Sequence, residues 1–390
     1  MVAAKTAPTN LKHEFPPFDL TRLLKTVFNP AIGEKVCVLI DLDDIKDVID
    51  FKFLKNKDQP VQEKAHRIFY QGIRSGLMKE LNLGACDFFA YKTTGGSNLE
   101  LSDEAMSPDG KLHSFEKEIY LFYDIILCIS TFSATAPLTA AAKRFGFRGG
   151  TLHGVNDTIL NSGLAVDYNE VSKETELLRK GMTGADSVDI DFVMENQKCH
   201  LHIDLGGQEA QKSHGICRVG PDIANLPAGE VYFVPKNAKG TFPIKFEDGT
   251  LAILHVEDGR IHKAVLVEGD KKVVKDFQRK LDIDPASGIL GELGFGTQVL
   301  PYSGSDIQDE KIFGTFHLAT GRNDHLGGNV VLKNFHDCKN ATHDDILFSS
   351  TKTPEITLKQ LRLNIHGKSE VLIENYEPCE YLLNLIHKTR

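Results

Sequence analysis

Near Ser187 the hydrophobic pattern of this chain changes period, and each period dictates its own architecture. Upstream, apolar runs of strand length alternate with stretches of helical spacing. Lys35 to Leu42, Phe88 to Lys92 and Tyr123 to Ser130 read as buried strands, and Val61 to Leu83 has the spacing of a helix. Pro137 and Gly146 carry the start and stop marks of a further helix over Leu138 to Phe145. Strands alternating with helices predict a mainly parallel sheet. Glu170 to Met182 reads as a charged helix leading into the next unit.

Downstream, apolar residues recur at every second position: Val188, Ile190, Phe192 and Met194, then Cys199, Leu201, Ile203 and Leu205. Leu251 to Glu268 reads as a hairpin around Asp258-Gly259, and Thr357 to Leu363 with Val371 to Glu374 as a last one. A single helix, Val273 to Leu281, is expected to interrupt this half. The expected fold class is α/β. An N-terminal α/β domain over residues 1–182 precedes a β-rich C-terminal domain over residues 183–390.

With 45 basic and 54 acidic side chains the net charge is -9, which opposes a nucleic-acid partner. No apolar run approaches the length of about 20 residues that a bilayer span needs. Met1 to Leu11 is polar and lacks the apolar core of a signal peptide, so a cytoplasmic protein with no membrane partner is expected. The seven cysteines include no Cys-x-x-Cys pair and read as reduced thiols, mostly core.

Residues of metal-ligand type gather in the β-rich half. They are Glu230 in Asn-Leu-Pro-Ala-Gly-Glu-Val, Glu292 in Gly-Glu-Leu-Gly-Phe-Gly-Thr, Glu310 and His317 in Asp-Glu-Lys-Ile-Phe-Gly-Thr-Phe-His, and the pair His343 and Asp345. In a strand, His343 and Asp345 face the same way. Glu230 alone reads as a solvated residue at a strand start. Glu292 lies among glycines and apolar residues, where an unpaired charge is costly to bury. His317 on its apolar strand is either a satisfied core histidine or a ligand. Two imidazoles and several carboxylates suit one or two divalent ions, with zinc, cobalt, manganese and iron all open. There is no His-Glu-x-x-His, Walker loop or Gly-x-Ser-x-Gly elbow, and Gly291-x-x-Gly-x-Gly296 has the wrong spacing for a dinucleotide fingerprint.

In these motifs, taken together and in order, the chain resembles the aminopeptidase T family of metalloaminopeptidases. The resemblance rests on residues 225–231, 290–297, 309–322 and 343–345, and more weakly on Ala136 to Lys143. It implies that Glu230, Glu292, His317, His343 and Asp345 are metal ligands, with Glu310 close by and Glu292 and Asp345 as bridges. It further implies two ions per chain (Zn, Co or Mn), attack of a bridging water on a peptide carbonyl, release of N-terminal residues, and a homodimer. Family peptidases carry a tyrosine seven residues after the first metal histidine. Here Asp324 takes that place, with Arg322 and His325 at hand for part of its task. The same fold serves a ring-cleaving dihydroxypyridine dioxygenase with one Fe(II), whose ligand set here would be His317, His343 and Asp345. A non-catalytic binding role is the third reading.

Overall fold

The computed structural model describes residues 14–387; the polar start Met1 to Leu11 lies outside the described residues. Three sheets organise the chain. The first has seven strands in the order Ile223–Asn225, Arg148–Thr151, Ile125–Cys128, Lys35–Leu42, Ala85–Lys92, Ala105–Met106, Leu112–His113. Its first five strands pair in parallel and its last two antiparallel. This is the expected sheet, and Val36 to Ile40 is wholly buried, as a strand covered on both faces must be. One strand, Ile223–Asn225, comes from beyond residue 182, so the chain returns to the first sheet after entering the β-rich half.

The helices form largely where capping and spacing placed them. Thr135–Phe145 ends at Gly146, whose φ of 90° is the left-handed conformation that terminates helices. Tyr168–Met182 starts at Asp167, whose carboxylate accepts from the Asn169 N–H. The span from Val61 to Leu83 is instead a run of α and π turns from Pro60–Lys64 to Met78–Glu80. Leu20–Val27, capped by Asp19, buries Leu20, Leu23, Leu24 and Val27 against this layer.

The β-rich half forms two antiparallel sheets. An eight-stranded one runs Arg260–Glu268, Leu251–Glu257, Asn237–Lys245, Gln197–Gln208, Ala185–Met194, Ile356–Ile365, Lys368–Glu374, Glu377–Pro378. The other has five strands: His343–Phe348, Phe316–Gly321, Leu290–Gly296, Glu230–Phe233, Gln211–Ser213. The two pack through one core that includes Phe192, Phe242, Phe295, Phe316 and Phe348. Helix Lys271–Ile283 covers the expected Val273 to Leu281, but Glu380–His387 adds a second helix of comparable standing to this half. Tyr381 bonds the Gly181 carbonyl and ties this second helix to Tyr168–Met182. Among the described residues no helix is long and apolar enough to cross a membrane.

Candidate metal centre

Every expected metal ligand except Glu310 lies on the five-stranded sheet, and the register puts them all on one face. Glu230 sits opposite Gly296, Gly294 opposite His317, Glu292 opposite Ala319, Ala319 opposite Asp345, and Gly321 opposite His343. Cross-strand partners share a face, so Glu230, Glu292, His317, His343 and Asp345 project together among glycines and an alanine. The alternating residues Val231, Phe233, Leu293, Phe295, Phe316, Leu318 and Phe348 face the core.

The small residues are required by the packing. A Cβ on Gly294 would lie 2.1 Å from Cε1 of His317, so the imidazole lies over a position that only glycine leaves open. Gly229, just before Glu230, has φ of 128° and would push a Cβ to 2.3 Å from Gln298, which explains the Pro-Ala-Gly-Glu sequence. A register shift between Leu290 and Glu292 leaves Gly291 unmatched. The shift turns Leu290 away while Glu292 keeps the ligand face.

The ligand atoms converge. Nε2 of His343 is 3.0 Å from Glu292 Oε2 and 3.4 Å from Asp345 Oδ1. Nε2 of His317 is 3.5 Å from Glu292 Oε1 and 4.0 Å from Asp345 Oδ1. Ligands at about 2.1 Å from a common ion stand roughly 3–3.4 Å apart when adjacent, a spacing that His343 meets with Glu292 and Asp345, while His317 stands farther from both. His343 Nδ1 donates to the Arg322 carbonyl at 2.6 Å, the arrangement that orients a ligating histidine and leaves Nε2 for the metal. Three overlapping ligand groups result: Glu230, Glu292 and His317; Glu292, His343 and Asp345; Glu310, His317 and Asp345; none contains both histidines, which Glu292 and Asp345 link, so one ion held by both rings draws them together on binding.

The electrostatics fit a cation. Burial pulls His317 down, but the hydrogen bond and charge of Glu292, with the charges of Glu310 and Asp345, outweigh it and raise His317 to about 10. His343 is likewise lowered by burial and raised more strongly by Asp345 and Glu292, ending well above the ordinary value. Without an ion both rings therefore carry protons, which a metal would displace. Burial pushes the Glu310 carboxyl up to about 7 against the pull of Lys311. Asp345 is held below its usual range chiefly by His343 against the effect of burial, with 31 % of its side chain open to the cavity.

Lys311 is the group that sequence reasoning missed. Its side chain is 1 % exposed and its ammonium lies 2.7 Å from Glu230 Oε2 and 2.5 Å from Glu310 Oε1. Its neighbour Glu310 was singled out from the same motif, but a lysine reads from sequence as a solvated residue. His153 was also missed. It follows the parallel strand Arg148–Thr151, lines the cavity, and is held neutral by burial, which lowers it to about 4.

Arg322 and Asp324 are drawn to each other. Arg322 is buried, bonds Asp324 through Nε at 2.7 Å and Nη2 at 3.2 Å, and reaches Glu100 at 2.5 Å. Neither side chain lines the cavity, whereas His325 does. The His325 ring packs edge-on to His343 at 4.9 Å, its Nδ1 has no hydrogen-bond partner among the described residues, and burial lowers it to about 3. The cavity, of about 200 Å3, lies between the metal face and the loops that follow the parallel strands.

No protein-family profile matches the chain, and no curated protein sequence matches it. Among solved structures, the 2,5-dihydroxypyridine dioxygenase from Pseudomonas putida KT2440 is similar over 92 % of this chain and 94 % of its own, with TM-score 0.59 and 13 % identity. At that identity the likeness is one of fold. The mixed α/β architecture is thus shared with a dioxygenase, and the aminopeptidase T resemblance rests on its motifs alone.

Proposed function

We propose that this chain is a single-metal enzyme in which His317, His343 and Asp345 hold one Fe(II) and a dihydroxylated six-membered ring is opened by dioxygen. The observation that carries this reading is the buried ammonium of Lys311 between Glu230 and Glu310. It supplies one positive charge where the second ion of a dinuclear centre would sit. Glu230 is then matched by Lys311, and Glu310 shares a proton near neutrality. Glu292 and Asp345 remain to balance one divalent cation held by neutral histidines.

When bound, an ion in a two-histidine, one-carboxylate set supplies open positions for a hydroxyl of the ring and for dioxygen. The protein's own residues do the rest. Arg322, fixed by Asp324 and Glu100, presents the carbonyl that orients His343. His325, neutral and lining the cavity, accepts a hydrogen bond from a substrate hydroxyl, and Glu310 holds the proton that the cavity can exchange. Dioxygen is the oxidant: a ring carbon–carbon bond breaks and both oxygen atoms remain in the product. A cavity of about 200 Å3 suits one substituted ring, since about 150 Å3 suffices for benzene.

Elemental analysis of the purified protein tests the reading, with one iron per chain expected, together with oxygen uptake on 2,5-dihydroxypyridine. Two ions per chain would overturn it. The second reading, an aminopeptidase-like hydrolase with two zinc, cobalt or manganese ions, is favoured by the sharing of Glu292 between two ligand groups. It requires Lys311 to release Glu230. Lys311→Met separates the two: the single-metal reading expects wild type to take one Mn(II) and the variant two. Two in both proteins, with release of N-terminal residues from short peptides, would establish the hydrolase.

A further inference from the structure

The wall of the cavity facing the metal ligands is built from polar residues that the sequence does not mark. Asn98, Ser133, Thr135, Thr139 and Asn225 line it. Their oxygen acceptors are largely engaged within the wall. Ala136 N–H donates to Asn98 Oδ1 at 2.9 Å and Ser133 Oγ donates to the same oxygen at 3.3 Å. Thr135 and Thr151 share a hydroxyl contact of 2.7 Å, and Thr151 donates to Asn225 Oδ1 at 3.3 Å. The N-terminus of Thr135–Phe145 is no anion site, because Ser133 and Asn98 take its first N–H groups and Pro137 has none.

The Thr139 hydroxyl, Asn225 Nδ2 and Asn98 Nδ2 are left over among the described residues, and Asn98 is the most buried of the three. Asn98 is 5 % exposed, yet its Nδ2 has no hydrogen-bond partner among the described residues. The backbone N–H of Ala136 fixes which end of the amide is oxygen, so the free end is the NH2 donor. Its position is rigid. The backbone has φ of 63°, a left-handed conformation that asparagine tolerates, and Asn98 N–H donates to the Ser133 carbonyl at 2.7 Å. The Asn98 carbonyl accepts from Arg322 Nη1 at 3.4 Å, and the Arg322 carbonyl holds His343. One arginine therefore sets the spacing between the metal face and the free amide donor.

We infer that Asn98 is a specificity-determining residue whose amide donates to a carboxylate or carbonyl oxygen on the substrate ring, at the edge remote from the metal-binding hydroxyls. The inference rests on the single-metal reading above. It makes the preferred substrate a ring diol that also carries an acceptor-only substituent. A bare diol leaves the buried donor unmatched, which is the situation that gives polar sites their discrimination.

The test is calorimetric binding to the full chain loaded with Fe(II) under argon, using catechol and protocatechuate, which is catechol carrying one carboxylate. Wild type is expected to bind protocatechuate at least ~10-fold more tightly than catechol. Asn98→Asp keeps the oxygen that accepts from Ala136 and tolerates the same φ, but replaces the donor by a negative charge; it should bring the ratio to one or below. If the ratio is one in wild type, or survives Asn98→Asp, the assignment of Asn98 is overturned while the metal-centred reading stands. If neither diol binds the iron-loaded protein, both fall. Should Asn98→Asp not fold, the wild-type order of protocatechuate, its methyl ester and catechol decides: graded tightening with acceptor strength supports the inference, and equal affinities overturn it.

Discussion

The five-stranded sheet has two faces built from the same short strands, and they are organised by opposite rules. On the core face, large side chains fill space: Phe295, Phe316 and Phe348 are buried, and the rings of Phe316 and Phe348 stack at 5.0 Å and 13°. On the metal face, the residues between the ligands are Gly294, Gly296, Ala319 and Gly321, and what fills the space is charge. The core face is held by area removed from water and tolerates changes that conserve volume. The face of the candidate ligands holds buried carboxylates and imidazoles, whose desolvation is offset by mutual pairing, by Lys311 and by any cation that binds there. One residue of register separates the two regimes, so adjacent substitutions should have unrelated consequences.

Position 316 gives the largest expected effect. Phe316→Ala should destabilise the protein by about 3–5 kcal/mol, measured by denaturant unfolding of the metal-free chain. Metal affinity should change little in whatever fraction remains folded. A loss below about 1 kcal/mol would mean that the two β-rich sheets do not depend on this ring.

Across the sheet, Gly294→Ala attacks the metal face by volume alone. The added methyl would sit 2.1 Å from the His317 ring, which has to swing out of the ligand set. Metal affinity should fall by about 10–100-fold, as when the support of a ligand is removed, with a smaller change in melting temperature than Phe316→Ala causes. Undiminished metal binding would show that His317 ligates from another orientation, or does not ligate.

The charge stored on the metal face predicts a pH dependence that the core face lacks. The folded-state value of His317, about 10, lies above its unfolded value near 6.5. In the metal-free protein its stabilising contribution is therefore complete below about pH 6.5 and is lost as pH rises through about 10. Metal must displace that proton and the one on His343, and each contributes about tenfold in affinity per pH unit, so affinity should climb by up to about 100-fold per unit where both rings are protonated. A chelator competition at two pH values, corrected for protonation of the chelator, measures it. A flat profile would exclude both rings as ligands, and a slope of about tenfold would leave only one of them.

What the sequence made legible follows the same division. Period-two alternation in Val188 to Met194 and Cys199 to Leu205 marks strands because each has one face in a core and one outside it. The buried parallel strands are legible as continuous apolar runs. Helix Glu380–His387 was not, since Leu382 and its neighbours follow a hairpin and carry no marked N-cap. At the site, Glu292, His317, His343 and Asp345 are legible as polar residues in apolar or glycine-rich frames, whereas Glu230 alone reads as solvated and stands out only with the other motifs. Lys311 and Asn98 are not, because their significance lies in what they meet: a lysine is remarkable only once two buried carboxylates enclose it, and an asparagine only once all its other polar atoms are taken. The mutual engagement of Arg322 and Asp324 is equally a property of the folded loop.

The smallest expected effect comes from the neighbouring acids Asp344 and Asp345. Asp344 lies opposite Thr320 and points away from the ligands, where it meets Lys280 at 2.7 Å and the Thr342 hydroxyl. Both partners of that ion pair are partly solvated, so the pair contributes at most about 1 kcal/mol. Asp344→Asn should shift unfolding by no more than that and leave metal content unchanged. Asp345→Asn removes charge from the ligand face and should lower metal occupancy sharply, while the metal-free chain loses the stabilisation of the Asp345–His343 pair. Elemental analysis of the two variants side by side reads the alternation directly. Equal metal loss in both would mean that the register of His343–Phe348 differs from the one that sets the two faces apart.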